Sequence, residues 1–524
     1  MSALPVPEEN DGTKIPSTNT VNRCVYPRDE AVLARFGKKQ QLNRKFGLLS
    51  IVGLTCTLMI TWEGTLTVFQ LGLTNGGPSG LVYGFLFAWI GTALQALVMG
   101  EMASMIPLAG GAYNWVAILS PPWCSKFLSY LTGWITVIGW QAALASSALL
   151  GGVMIQGLLV LNYPTYVFER WHGTLLLYAL IVIGLVINTW LARLLPRIEG
   201  LVLGIHVIGF FCTLIPLVYL GPHGSPSDVF AAFNDGGGWG SQGLSFMIGL
   251  STSMFAFIGF DAASHMAEEI ERADIVIPRS IIASVALNGS LGFGMVIATL
   301  FCIGDVDDAL ASATGFPFIQ IFRNATNSNA GASAMTSMII AAMVFATIGF
   351  LATASRMAWA FAREKGLPGY NTLVKVQTKS ALPMYCIGLS TMISLLLALI
   401  NIGSSTAFNA LTSLVISAFY SSFVISASVL LHKRLTTPEH EMNYGPFRNR
   451  HFGIPIIIGS IVYSVIGIFF SFWPGSLNPT LVNMNWSAPV FSGVMVLSMG
   501  FWFIHGRRVY TGPIIEVDSR EMSG

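Results

Sequence analysis

The chain has 524 residues, of which 53% are hydrophobic and 10% are charged, and its mean hydropathy is +0.66. Soluble domains carry about 25% charged residues because their surfaces face water. This composition therefore excludes an ordinary soluble protein and indicates a chain surrounded by lipid. The formal net charge of +2 is too small to indicate a nucleic-acid partner.

The chain begins with a polar segment that lacks the apolar core of a signal peptide. We expect a disordered cytosolic N-terminal tail over 1–45, a helical membrane domain over 46–505 and a cytosolic C-terminal tail over 506–524. Apolar stretches long enough to cross a bilayer as helices recur through the membrane domain. Twelve are predicted, at 46–72, 79–105, 124–160, 173–192, 197–221, 243–266, 279–303, 334–362, 382–402, 407–431, 454–473 and 487–505.

The basic residues fit twelve crossings with both termini on one side. Of the 27 lysines and arginines, all except Arg170, Arg323 and Arg356 fall in the two tails or in the connectors on that side. Basic residues accumulate on the cytoplasmic side of membrane proteins, so both termini are predicted to be cytoplasmic. The polar connector 304–333 then lies outside, and its Asn-Ala-Thr sequence makes Asn324 a candidate glycosylation site.

Polar and small residues interrupt the first span around Thr61, Trp62, Glu63 and Gly64. A carboxylate inside a span is costly unless it faces a cavity or a partner. Glu63 lies too deep to reach an interface, so we expect a functional role. The alternative is a structural carboxylate that is hydrogen-bonded between helices.

A similar interruption is expected in the sixth span, where Gly259 stands close to Asp261. The first and sixth spans occupy equivalent positions if the chain contains two repeats of five helices. Because five is odd, the two repeats have opposite orientations in the membrane. Interrupted helices at matched positions of inverted repeats indicate a substrate site near the middle of the bilayer.

Three segments carry a family resemblance. GFDAASHMAEEI (259–270) with IPR (277–279), EMASMIPLAGGAY (101–113), and ASRMAWAFAR (354–363) with GLP (366–368) resemble helix 6, the helix 2–3 connector and helix 8 of the amino acid–polyamine–organocation transporters. TWE (61–63) and NGGP (75–78) are similar to the fungal branch that includes GABA permeases and choline transporters. The resemblance implies an all-α LeuT-type fold, with a 5+5 inverted repeat, discontinuous helices 1 and 6, and two further C-terminal helices.

The two interruptions supply the candidate substrate-binding residues. Glu63 is expected to neutralise an ammonium group or to carry a coupling proton, and the nearby aromatic rings could surround a quaternary amine. Phe255 and Trp140 are further candidates for such a cage, although most aromatic residues in a membrane protein pack or face lipid. The substrate-binding set is Thr61, Trp62, Glu63, Gly64, Phe257, Gly259 and Phe260.

Four further residues are candidates for coupling or gating. His206 lies in the fifth span, and the resemblance implies a place near the lysine that bacterial members of the family carry where others bind a sodium ion; histidine titrates near neutral pH. Asp261 could gate the inner pathway or pair with Arg356. Arg356 and Glu101 could form an inner salt-bridge network, and interfacial anchoring is the alternative.

These features favour a secondary active transporter that imports a small amine or amino acid, with GABA, choline or a related cationic amine preferred and a proton as the coupling ion. Permeases for neutral amino acids or polyamines, and a non-transporting nutrient sensor, remain alternatives, as do sodium coupling and uncoupled transport. The sequence contains no GxxxxGK[ST], GxSxG or HExxH motif and no Cys/His cluster, so no enzyme, cofactor or metal site is expected. The plasma membrane is favoured over a vacuolar or other internal membrane.

Overall fold

The computed structural model describes residues 27–378, 380–403, 407–481 and 484–513. Regular structure in these residues is helical, apart from two isolated bridges that join Phe46 to Ile270 and Asn75 to Asp235. A chain that crosses lipid repeatedly favours helices because each one satisfies its own backbone hydrogen bonds.

The helices divide at the loop after residue 230. Before it lie α1 (Pro27–Arg35), α2 (Leu48–Met59), α3 (Thr61–Thr67), α4 (Phe69–Thr74), α5 (Gly77–Met105), α6 (Ala112–Leu119), α7 (Pro122–Asn162), α8 (Arg170–Thr189), α9 (Leu195–Leu220) and α10 (Pro226–Phe230). After it lie α11 (Gln242–Phe255), α12 (Ala262–His265), α13 (Ala273–Phe301), α14 (Val306–Leu310), α15 (Pro317–Thr326), α16 (Asn329–Arg363), α17 (Tyr370–Leu373), α18 (Met384–Ala398), α19 (Ile400–Gly403), α20 (Ala407–Thr436), α21 (Gly453–Ser471), α22 (Ser487–Phe501) and α23 (Arg507–Val509).

Eleven helical segments in the described part of the chain are long and apolar enough to cross a membrane. The predicted sixth crossing is divided between α11 and α12, and neither piece has the length to cross alone. With this divided crossing, the twelve-helix prediction is confirmed. The first crossing consists of α2, α3 and α4 and is also discontinuous.

The crossings form two inverted sets of five, followed by α21 and α22. One group of helices contains α2 against α13, α13 against α5, and α11 against α4 and α5. The other group contains α7 against α8 and α16, with α18 packed on the same three helices. Because α2 also packs on α16, the two groups meet at the interrupted helices.

One face of α9 is buried and the other is exposed, as expected for a helix at the rim of a membrane bundle. Leu201, Ile208 and Ile215 recur every seven residues and are 66%, 64% and 61% exposed, which is typical of a face in contact with lipid. Glu199 and His206 are also seven residues apart but are buried on the opposite face, toward α2. Glu199 and His206 therefore point into the protein.

Part of the predicted disordered tail is folded. Residues 27–45 include α1 and a segment in which Lys38 and Arg44 are buried, so the ordered chain begins before residue 46. The backbone N–H groups of Lys45 and Phe46 donate to the carbonyl of Glu269, which ties this segment to the chain after α12. Composition alone missed this order because the stabilising partners lie more than 200 residues away. Residues 1–26 and 514–524 of the predicted tails lie outside the described residues.

Candidate functional site

The first interruption occurs at a single residue, Ile60. It adopts φ 37° and ψ 48°, a left-handed conformation that is strained for a β-branched residue, and it separates α2 from α3. The next backbone N–H, that of Thr61, donates to Oδ1 of Asn288 on α13 at 3.2 Å. The polar residues that predicted the break, 61–64, form the first turn of α3, one residue after the break itself.

The second interruption is longer. Residues 256–261 form turns between α11 and α12, and Gly259 adopts φ +99°. A Cβ atom at Gly259 would lie 3.2 Å from Cβ of Leu58, so both the backbone conformation and the close approach require glycine. A Cβ atom at Gly64 would lie 3.9 Å from Cα of Ala256. The two breaks therefore pack directly against each other.

A narrow cavity lies at the two breaks; its empty volume of about 390 Å³ includes open solvent, and about 30 Å³ of it is open to water-sized molecules. Its polar side chain is that of Ser147 on α7, and Phe255 and Phe350 contribute aromatic rings. The described residues that line it carry no charge. They are Leu58, Met59, Ile60, Gly64, Ala143, Ser147, Leu150, Phe255, Ala256, Ile258, Met343, Phe350 and Val415.

Among the predicted substrate-binding residues, Gly64 lines this cavity, whereas the others lie around it. Phe257 packs against Phe85 with ring centroids 5.1 Å apart, and Phe260 packs against Phe423 at 5.2 Å. Gly259 contacts α2 at Leu58. The remaining three, Thr61, Trp62 and Glu63, lie in the first turn of α3, where Trp62 and Glu63 contact α9 and Thr61 contacts α13.

Glu63 and His206 form a buried pair. Oε1 of Glu63 lies 2.8 Å from Nδ1 of His206, and the two residues are 0% and 3% exposed. Nε1 of Trp62 donates to the carbonyl of His206 at 3.3 Å, so α3 and α9 are joined at two points. The second atom of each group, Oε2 of Glu63 and Nε2 of His206, has no hydrogen-bond partner among the described residues. A carboxylate and an imidazole in contact can share and release a proton.

Ion pairs close the end of the fold that carries α1. Nε of Arg356 on α16 donates to Oε1 of Glu269 at 2.9 Å, Arg363 pairs with Glu268, and Lys38 pairs with Glu364. These buried contacts join the chain before α2, the chain after α12 and the end of α16. We call these three pairs the closing network.

Two predicted gating residues lie outside the closing network. The proposed pairing of Asp261 with Arg356 is wrong: Asp261 lies 3.7 Å from Nε2 of His265, one helical turn later, and Arg356 is occupied by Glu269. Glu101 pairs with Arg434 and accepts from Nδ2 of Asn449 at 3.0 Å. It therefore fixes the end of α5 to the last turn of α20 and to the segment that follows α20.

The burial of Lys45, beside the closing network, lowers the pKa of its ammonium group, and Glu269 opposes this shift.

A wide vestibule opens at the opposite end, with an empty volume of about 1800 Å³ that includes open solvent. Arg170, Asn401 and Trp473 are among its lining residues. Phe255 and Leu150 line both the vestibule and the narrow cavity, so they form the boundary between the two. The described structure is thus more open at the end away from the closing network.

Asn324 lies near the end of α15 and is partly buried. Its Nδ2 donates to Oδ2 of Asp308 at 2.9 Å, and its Oδ1 accepts from Gln320 at 3.1 Å. Glycosylation at this position stays a prediction.

Known membrane proteins resemble this chain in sequence and in fold. A family model described as amino acid permease matches residues 46–497. The choline transporter of Saccharomyces cerevisiae is 31% identical over 475 residues, which cover 90% of this chain and 83% of that protein. An amino-acid permease of Arabidopsis thaliana is 27% identical over 507 residues, which cover 93% of this chain and 96% of that protein.

A solved manganese transporter from Eremococcus coleocola shares the fold, with a TM-score of 0.50, 14% identity and coverage of 88% of this chain and 96% of that one. The fold and the matches define an integral, multi-pass membrane transporter. The chain belongs to the amino acid permease family, within the amino acid–polyamine–organocation superfamily and its fungal branch. The predicted resemblance is confirmed.

We predict that Gly259→Ala destabilises the paired breaks. A side chain in the left-handed region costs about 1–2 kcal/mol, and the new Cβ would also press on Leu58. The midpoint of thermal unfolding in detergent, followed by tryptophan fluorescence, should fall, and uptake per molecule at the membrane should fall with it. Gly243→Ala on α11 is the control, because its Cβ would meet no atom closer than 3.9 Å. Equal behaviour of the two variants would contradict the prediction.

Proposed function

We propose that this protein imports a small cationic amine, of the choline type, together with a proton. The observation that carries the proposal is the separation of two environments around the breaks. The apolar cavity lies on one side of α3, and the buried Glu63–His206 pair lies toward α9. The first environment suits a substrate, and the second suits a coupling proton.

The cavity chemistry favours a cation with apolar groups. The C-terminal ends of α2 and α11 meet at the breaks, and helix C-termini carry partial negative charge. Phe255 and Phe350 offer aromatic rings, which attract quaternary ammonium groups. Ser147 can hydrogen-bond a substrate hydroxyl. In this proposal the ammonium lies among the carbonyl ends and rings, and Glu63 acts on the proton instead of on the substrate.

The same region is poorly suited to a carboxylate. A helix N-terminus would be the natural anion site, but the N–H of Thr61 is already bonded to Asn288. Glu63 stands in the first turn of α3, and Asp261 immediately precedes α12. Both acids would repel a substrate carboxylate. These contacts favour choline over GABA and over α-amino acids.

An amino acid or GABA permease is the second candidate, and polyamines remain within its range. The observation in its favour is that the matching family model and the Arabidopsis relative are named amino acid permeases. A sensor that binds without transporting would give binding but no flux, so an uptake assay separates it from both candidates.

Transport would proceed by alternating access. The described structure corresponds to a state open toward the vestibule and closed by the closing network. The positive-inside distribution supports a cytoplasmic location for the closing network, so the vestibule would face outward, and the plasma membrane is the favoured location. Substrate and proton would bind from the vestibule side, and breakage of the ion pairs would then open the cytoplasmic side.

We predict that Phe255→Leu raises the KM for radiolabelled choline about 2- to 30-fold, through loss of an aromatic contact with the ammonium group. Phe257→Leu, two residues away but packed on Phe85, should leave the KM near the wild-type value. Uptake is measured in cells that lack their own permeases, with unlabelled GABA and amino acids as competitors. The second candidate is supported if the wild type takes up labelled GABA but no choline. In that case Phe255→Leu should lower the uptake of GABA.

For coupling, we predict that wild-type uptake rises as external pH falls from about 7.5 to about 5.5 and collapses when a protonophore is added. His206→Gln should abolish this pH dependence because the side chain no longer exchanges a proton with Glu63. His172→Gln, which alters a histidine bonded to Tyr166 far from the breaks, should retain it. Proton coupling would be overturned if the rate of wild-type uptake changed neither with external pH nor on addition of a protonophore.

A further inference from the structure

Basic residues from the start of α7 and from α23 lie together at the surface. Arg507 and Arg508 are exposed and directly follow the π-helical turn that joins α22 to α23. Nζ of Lys126 on α7 donates to the carbonyl of Arg507 at 2.6 Å and lies 5.8 Å from the centroid of the Trp502 ring. These contacts bring the lysine next to the two arginines. We call Lys126, Arg507 and Arg508 the basic cluster.

The segment that carries the two arginines is fixed to the protein. Tyr510 is fully buried, and its hydroxyl lies 2.5 Å from Oγ of Ser129 on α7. Its ring packs on Phe361 of α16 with centroids 5.8 Å apart, and its backbone N–H donates to the carbonyl of Gly506 at 2.8 Å. Because α16 also carries Arg363, the basic cluster lies at the same end of the fold as the closing network. Its backbone is in place before any ligand binds, which lowers the entropy cost of binding.

The basic cluster has no neutralising carboxylate. The sequence contains no Asp or Glu over 102–168 or over 442–515, the two segments that supply the cluster. At the adjacent end of α16, Glu364 is paired with Lys38. In the part of the chain that the structure describes, none of the three basic side chains forms an ion pair. Like charges held together repel one another, so the cluster favours an anionic partner.

Exposed apolar residues place the basic cluster at the edge of the lipid. Phe503 and Ile504 precede the two arginines by about one helical turn and are 55% and 78% exposed. Trp123, three residues before Lys126, is 87% exposed. Exposed Phe and Ile suit acyl chains, and tryptophan is typical of the headgroup level of a bilayer. The cluster therefore lies at the depth of the lipid phosphate groups.

We propose that the basic cluster binds the headgroup of an anionic phospholipid. The two guanidinium groups and the ammonium group donate to the phosphate oxygens, and charged donors make strong hydrogen bonds to such oxygens. Trp123, Phe503 and Ile504 contact the acyl chains. Free phosphate has the same oxygens but no chains, so these apolar residues favour the lipid. The cytoplasmic location proposed for this end would place the cluster against the leaflet that is richer in anionic lipid.

The test counts the lipids bound to the full-length protein in a neutral detergent by native mass spectrometry, while phosphatidylserine or phosphatidylcholine is titrated. We expect the wild type to bind phosphatidylserine more tightly than phosphatidylcholine. Arg507→Gln/Arg508→Gln should weaken the binding of the first phosphatidylserine about 25-fold and Lys126→Gln about fivefold, since each basic residue at an anionic surface contributes about fivefold. Inorganic phosphate in molar excess should not displace the lipid.

Arg193→Gln/Arg197→Gln is the matched control, because it removes two exposed arginines at the start of α9, at the same end of the fold. It should leave the affinity for the first phosphatidylserine within about twofold of the wild type. Equal weakening in the two double variants would show a general attraction between positive charge and anionic lipid, and would overturn a defined site. Displacement by inorganic phosphate would overturn the lipid as the occupant. Unchanged phosphatidylserine binding in both Arg507→Gln/Arg508→Gln and Lys126→Gln would overturn the site itself.

Discussion

The structure depends on one constraint, which is that a helix interrupted inside a membrane exposes backbone groups that lipid cannot satisfy. Here the two interruptions are packed against each other, and a side chain of α13 accepts one of the freed backbone N–H groups. Ile60 and Gly259 take left-handed conformations, Gly259 packs on Leu58, and Asn288 accepts the N–H of Thr61. Because neither break is stable alone in lipid, the two have to meet, and their meeting point creates the cavity.

The same packing separates the two proposed tasks. One side of α3 faces the cavity, where the helix ends and aromatic rings suit an ammonium group, and another side carries Glu63 toward His206. Movement of α3 would then change both environments at once. Such a shared element gives a physical route for coupling, since substrate binding and proton binding would favour the same position of one short helix.

Much of the fold was predictable because lipid imposes simple rules on length and hydrophobicity. Twelve crossings and the two interruptions followed from apolar runs and from a glycine beside an acid, whereas the inverted repeat was what the family resemblance implied. The break itself was displaced by one residue, since an isoleucine in a left-handed conformation leaves no local signal. The contact of Glu63 with His206 and that of Arg356 with Glu269 join residues far apart in sequence, so only the packing reveals them. The order of residues 27–45 was missed for the same reason.

The most direct test of this account is a cryo-EM structure of the protein with bound choline. The account predicts ligand density in the cavity at the breaks, with the ammonium group beside Phe255 and Phe350, and a Glu63–His206 contact that remains intact. Density for the ammonium group against the carboxylate of Glu63, with His206 displaced, would contradict the separation of substrate and proton on which the account rests.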